Sequence, residues 1–410
     1  MPQLPQSTVK RRRAFFIHGF DPRSARVYHA KYRDQAALYV ERFGGKLDVG
    51  PIVRSGERDA DWQIDAVIDD AAVRTDYTFL NWGDLASGHL RNSSLSILRE
   101  GAWTWFEMLR TGHWRNIWRT NRGAALLIAY PHVMIFLLPL MLGGLGAGAY
   151  SAANDLGAPW WAALGTAAAV VSLCLRLFRR LDRRHYVFHL LTSFTDAVRQ
   201  ARGERPETNA RLDEFAARIS NAADGDFDEV LVIGHSVGGY QALATMARAL
   251  RASSPDARFS LLTLGQNAPF ASFHPRATAL RRAFAEVASD DRATWVDISS
   301  PHDWLCHILL DPSSPPDVPR LPNCRAPKVL SARLPEIFSR ETLNRLRFDW
   351  FEFHFLYMYA NEKPGAWDWF RTTAGPRSLA DLFANAKSSP RADRMASPAR
   401  YRMPGVDERG

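Results

Sequence analysis

Between Arg122 and Arg176 the chain carries a single charged side chain, Asp155. From Gly123 to Asn154 there are 32 residues without Asp, Glu, Lys or Arg, and another 20 follow from Leu156 to Leu175. About 20 predominantly apolar residues cross a bilayer as a helix, and soluble helices seldom go that far without a charge. The two runs therefore read as transmembrane helices, about 124–150 and 157–178, with Pro131 and Pro139 kinking the first. Their Gly- and Ala-rich stretches would let the two approach closely. The competing reading is a buried hairpin inside a large soluble domain. Arg115, Arg119 and Arg122 stand before the pair and Arg176, Arg179, Arg180, Arg183 and Arg184 after it, while the connection SAANDLGAP has no base. Positive flanks stay on the cytoplasmic side. Both ends are thus expected inside, in an integral multi-pass protein of a bacterial inner membrane. Trp160 and Trp161 suit the outer interface. Trp103, Trp105, Phe106, Trp114, Ile117 and Trp118 form either an amphipathic segment in the inner interface or a stripe packed on a soluble domain.

The rest of the chain has to fold in water. With 410 residues the length suggests two to three units, and 46% apolar and 23% charged residues exclude wholesale disorder, collagen and a coiled coil. A net charge of +9 points first to nucleic acid. Only six of the 52 basic residues are Lys, and the Arg residues gather at the hairpin flanks, so no nucleic-acid partner is expected. Cys174, Cys306 and Cys324 are too few for a disulfide scaffold and lack zinc spacing, which fits a reducing compartment. The N-terminus lacks the apolar region of a signal peptide, and Arg11–Arg13 read as residues that solvate the start of a strand.

Short apolar runs bounded by turn residues appear at 14–19, 49–54, 77–82, 229–234, 260–265 and 294–299. They resemble buried parallel strands. Helical patterns fall at 25–43, 60–74, 207–222, 240–252 and 276–288. Strands alternating with helices imply an α/β sheet, mostly parallel, with helices on both faces. The sheet would begin in 1–83, pause for a helical insertion at 84–225 that carries the hairpin, and resume in 226–386. The tail 387–410 is polar and reads as disordered.

Gly234-His235-Ser236-Val237-Gly238 fits G-x-S-x-G, with the apolar strand EVLVI ahead and the helical YQALATMARALR behind. That is the strand–turn–helix setting of a nucleophile elbow. Its competitors are an ordinary Gly-rich turn and a phosphate-binding turn. A serine nucleophile needs a base, and the base an orienting carboxylate. In the elbow's fold the order is Ser, acid, His. Asp303 follows the run 294–299, and only His307 and His354 lie beyond it. His354 is the better base, because His307 is too near Asp303 in sequence. Asp297 is the alternative acid. An oxyanion hole would take one N–H from Val237 and a second from the loop His18-Gly19-Phe20 after the first strand. His185 and His189 lie one helical turn apart without a third ligand, so they read as a solvated or interfacial face. No metal and no cofactor is expected.

With these motifs the chain resembles an α/β-hydrolase of the lipase/esterase type. LLTLGQNAPF at 261–270 is similar to a strand in lipase-like members that ends in Thr-x-Gly-Gln, and HFLY at 354–357 is similar to the same group. The resemblance implies Ser236 as nucleophile, Asp303 as acid, His354 as base, and Phe20, Gly19 and Val237 at the oxyanion hole. It covers 14–83 and 226–360. The family's first two strands are missing, and the hairpin enters before the nucleophile strand. Either 49–54 or 77–82 could be the family's fourth strand. The expected function is hydrolysis of a lipid or other lipophilic ester through an acyl-enzyme. The alternatives are an acyltransferase or thioesterase with the same triad, or a non-catalytic membrane scaffold. Acyl length, head group and oligomeric state are not legible.

Overall fold

A computed structural model describes residues 8–313, 324 and 326–389. Nine strands form one sheet: β1 Arg11–Ile17, β2 Lys46–Val49, β3 Val53–Ser55, β4 Asp59–Ile68, β5 Ala71–Leu80, β6 Glu229–His235, β7 Phe259–Leu264, β8 Ala293–Ser299 and β9 Lys328–Ser331. Their order is β2-β4-β5-β1-β6-β7-β8-β9, with β3 also paired to β4. From β5 to β9 every pairing is parallel, and β2, β3 and β4 add antiparallel partners at one edge. The chain is therefore an α/β fold on a mostly parallel mixed sheet, and its two halves meet where β1 pairs β6.

Side chains on a strand alternate between faces. Ala14, Phe16, Leu231, Ile233, Leu262 and Val296 belong to one core that also takes in Tyr28, Tyr32 and Tyr39 of the helix Ala25–Phe43. Phe15, Ile17, Val230, Val232, Leu261 and Trp295 face the other way, into a core shared with the helices Pro206–Ala223, Val237–Ala252 and Thr278–Ser289. Helices thus cover both faces.

The structure corrects three expectations. Residues 60–74 are not helical but form β4 and the start of β5. Ala60, Trp62, Ile64, Ala66 and Ile68 are buried, alternating with more exposed neighbours, and this is a period of two. Asp69 and Asp70 (φ 53° and 60°) turn the hairpin in two residues, the positive-φ geometry that matches strand twist. Residues 49–54 do not form a buried parallel strand, since they straddle the break between the edge strands β2 and β3. Arg12 does not solvate a strand start. It is fully buried, with Nε 2.6 Å from Glu229 and further bonds to the carbonyls of Gly375 and Arg377.

Residues 83–223 form helices only. Two of these, Arg122–Asp155 and Trp160–Arg180, are long and apolar enough to cross a membrane. The first is assigned as one continuous helix through Pro131 and Pro139. Gly146 lies so close to Val171 that a Cβ there would stand 2.9 Å from its methyl. Trp103, Trp114 and Trp118 pack against the sheet core, whereas Phe106 stays exposed. In the expected tail, Ser388 and Ser389 bond to Val329 at the start of β9, and 390–410 lie outside the described residues.

Candidate functional site

Ser236 sits between β6 and the helix Val237–Ala252, at φ 58° and ψ −125°. A non-glycine residue in that region costs on the order of 1–3 kcal/mol and persists only where its surroundings enforce it. Here the Ser236 N–H donates to the Leu264 carbonyl at 2.9 Å, and its own carbonyl accepts from Asn267 N–H at 3.2 Å. The neighbouring glycines are sterically required. A Cβ at Gly234 would lie 2.7 Å from Ala242 Cβ, and one at Gly239 would lie 2.5 Å from Gln266 Cβ.

Asp303 and His354 meet across the end of the sheet. His354 Nδ1 donates to Asp303 Oδ2 at 2.6 Å, and both residues are almost wholly buried. Tyr357 Oη–H donates to the same oxygen at 2.9 Å, and Leu305 N–H to Oδ1 at 3.0 Å. Burial raises the Asp303 pKa, but His354, the Leu305 N–H and the Tyr357 hydroxyl outweigh it, and the carboxyl is held below its ordinary value. Gly265 (φ 49°) makes room for the pair, since a Cβ there would lie 2.8 Å from the His354 ring. His235 Nε2 donates to the His354 carbonyl at 3.0 Å, and burial pushes its pKa down to about 3.

The loop after β1 is fixed as firmly. His18 is stacked between Phe79 and Trp82, and its Nδ1–H donates to Gly19 O at 2.8 Å. Trp82 Nε1–H donates to His18 O at 2.8 Å. Asp21 accepts from Tyr28 Oη–H at 2.7 Å and pairs with Arg23. A Cβ on Gly19 would stand 2.9 Å from Ser236 Cβ, so the loop backbone lies directly over the serine. Val237 begins the helix, so its N–H has no intrahelical acceptor.

Ser236, His354, Gly19, Phe20 and Val237 line one cleft. Within it His354 Nε2 is buried without a hydrogen-bond partner among the described residues. Ser236 Oγ accepts from Asn267 Nδ2 at 3.4 Å, the long limit of a hydrogen bond. Serine and histidine thus share a cleft, with the serine hydroxyl turned to Asn267.

The alternative residues lie elsewhere. Asp297 is buried in β8, accepts from Thr263 Oγ1 at 2.5 Å, and is raised by burial to about 7. His307 is buried, pushed down to about 3, and its Nδ1 lies 3.3 Å from Asn267 Oδ1. The solvated alternative for His185 and His189 fails, since both are half-buried. The first bonds the Phe178 carbonyl, and the second packs against Phe20 and Phe351 in the cleft. Sequence reasoning did not find Tyr357, His235, Asn267 or Gly265. HFLY and TLGQN contained all but His235, which lay unused inside the elbow motif itself. No family model, curated protein or solved structure matches the chain.

Proposed function

We propose that the chain is a membrane-anchored serine hydrolase of the α/β-hydrolase type, cleaving a lipid or other lipophilic carboxylic ester. The observation that carries this reading is the buried Asp303–His354 pair opening on the same cleft as a serine held in a strained strand–helix turn. Support comes also from chain order (Ser, Asp, His) and from the sheet, where β1 and β5 flank the serine strand on one side and β7, β8 and β9 on the other. On this reading the alternative 77–82, whose first four residues close β5 beside β1, corresponds to the family's fourth strand.

In the reaction, Ser236 Oγ leaves Asn267 and attacks the ester carbonyl carbon while its proton passes to His354 Nε2. The Val237 and Phe20 N–H groups receive the oxyanion. The C–O bond to the alcohol breaks, and the alcohol departs with the proton from His354. A water then attacks the acyl-enzyme, giving its proton to His354, and the acid is released with Ser236 restored. Asp303 holds the imidazole with Nδ1–H inward and stabilises its positive charge without taking the proton.

The hairpin would hold this domain at the cytoplasmic face. The outer part of the first helix, 133–155, spans about 35 Å at 1.5 Å per residue, and the second about 32 Å. A hydrocarbon core is about 30 Å thick. Phe136, Leu140, Met141 and Leu173 point outward from the pair. A fluorophosphonate probe should label the full chain in detergent and fail to label Ser236→Ala. Equal labelling of both proteins would end the hydrolase reading.

A further inference from the structure

Next to the serine cleft lies a second, smaller chamber, and the two share Leu127, Ser193, Phe194, Val237, Asn267 and Leu305 in their lining. Tyr240 and Phe270 line it beyond the shared residues. Its far wall is Ala124 and Ile128, in the first two turns of the helix Arg122–Asp155, together with Ala197 from the helix Val187–Ala201. All three far-wall side chains are buried and apolar. No strand of the sheet supplies that wall. We propose that this chamber takes the acyl chain of the substrate, and that the inner end of the membrane helix thereby sets acyl-chain preference.

Three observations carry the assignment. The chamber shares Val237 with the serine cleft, and the Val237 N–H is the donor assigned to the carbonyl oxygen, so an acyl group bonded to Oγ begins beside the chamber's lining. Its walls are dominated by apolar side chains, which favours a hydrocarbon chain over a sugar or a charged head group. And one helix runs from the chamber wall to the outward-facing Phe136 and Leu140, which links the chamber to the surface assigned to lipid. Ala124 and Ala197 leave space that a larger residue would fill, and Ile128 fills space that a smaller one would open.

The inference rests on the acyl-enzyme reading, and the test separates the two. Full-length wild type, Ala197→Phe and Ile128→Ala in detergent are titrated with a fluorophosphonate to count active sites. kcat/KM is then measured per active site for p-nitrophenyl acetate, octanoate and palmitate. Wild type should prefer octanoate to acetate. One methylene in an apolar pocket is worth roughly tenfold or more. The octanoate-to-acetate ratio should therefore fall at least about tenfold in Ala197→Phe, and the palmitate-to-octanoate ratio should rise in Ile128→Ala. Two variants of opposite sense guard against one failing to fold. Labelled, active variants whose ratios match wild type would overturn the chamber assignment and leave the hydrolase standing. A wild type that neither labels nor turns over any ester would overturn both.

Discussion

The sheet end around Ser236 and the outer two-thirds of the helix Arg122–Asp155 meet opposite demands. At the cleft, polar groups are buried and mostly partnered: Asp303 accepts from three donors, and His18 and His235 are each tied to a backbone carbonyl. Along the outer helix, Val133, Phe136, Leu137, Leu140 and Met141 turn large apolar side chains outward. In water such a surface would be a liability, whereas in hydrocarbon it costs nothing. The helix joins both regimes. Ala124, Ala125 and Ile128 belong to the soluble core, and the change comes near His132. The unbroken uncharged run hides that boundary. A lack of charge therefore marks where water is absent, but not which apolar phase replaces it.

The sharpest break between the two regions is Ser236→Ala. Ester turnover should fall by about 10⁶ while detergent extraction is unchanged, and His354→Ala should match it, since nucleophile and base act as one unit. Asp303→Asn should cost on the order of 10⁴. Asp297→Asn should cost far less, because that carboxyl bonds Thr263 instead of the histidine. Steady-state kinetics on a short p-nitrophenyl ester checks the series, and turnover by Ser236→Ala at the wild-type rate would break the comparison.

The second effect belongs to the soluble part alone. His113, His235 and His307 are held near 3 by burial, against about 6.5 in an unfolded chain. As pH falls below 6.5 the unfolded state takes protons that the folded state refuses. Stability therefore drops with falling pH until about 3, by roughly 1.4 kcal/mol per pH unit for each histidine. Asp297, raised to about 7, works the other way: its folded form keeps a proton that the unfolded form loses. Its contribution is present at low pH and is lost as pH rises from about 3.9 to 7. The net expectation is a lower urea midpoint at pH 5 than at pH 7, with a steeper decline in Asp297→Asn. A midpoint independent of pH would contradict it.

The third effect belongs to the hairpin. Leu140 is 72% exposed, and a lysine at the centre of a span costs about 2.5–3.5 kcal/mol of insertion. Leu140→Lys should raise the fraction released by alkaline carbonate, with turnover in detergent within about twofold of wild type. If the variant stayed wholly in the membrane fraction, the outward face would not be a lipid face.

Much of this was legible because the signals were local. The elbow motif, the run EVLVI and the late histidine each name their own environment. The edge of the sheet was not legible in the same way. DADWQIDAVI has acids at Asp59, Asp61 and Asp65 that look like a helix's polar face, and only the alternation of Ala60, Trp62, Ile64 and Ala66 betrays the strand. Arg12 also misled, because a basic triplet looks solvated until Glu229 is known to sit beside it, 217 residues later. Contacts at that separation leave no local pattern. Asn267 and His307 belong to the same class: each is ordinary in sequence, and their link to Ser236 exists only where β6 and β7 end together.

The smallest expected effect probes how finely the cleft is tuned. Tyr357 donates one of the three hydrogen bonds that Asp303 accepts, and its hydroxyl is buried, with Cys306 Sγ 3.8 Å away as its other neighbour. Tyr357→Phe removes donor and oxygen together, so no orphaned group is created on the tyrosine. A hydrogen bond to a charged acceptor is worth about 1.5–3 kcal/mol. Asp303 keeps its bonds to His354 and Leu305, so most of its charge remains satisfied and the loss should fall at the low end, near tenfold in kcat with KM little changed. Tyr357 acts through Asp303 and touches no substrate. The variant should therefore also raise the Asp303 pKa, and kcat per fluorophosphonate-labelled site should fall while the urea midpoint stays near wild type. A merely structural tyrosine would lower the midpoint and leave kcat per labelled site unchanged. Wild-type kcat per labelled site in Tyr357→Phe would reduce Tyr357 to packing and leave Asp303 held by His354 and Leu305 alone.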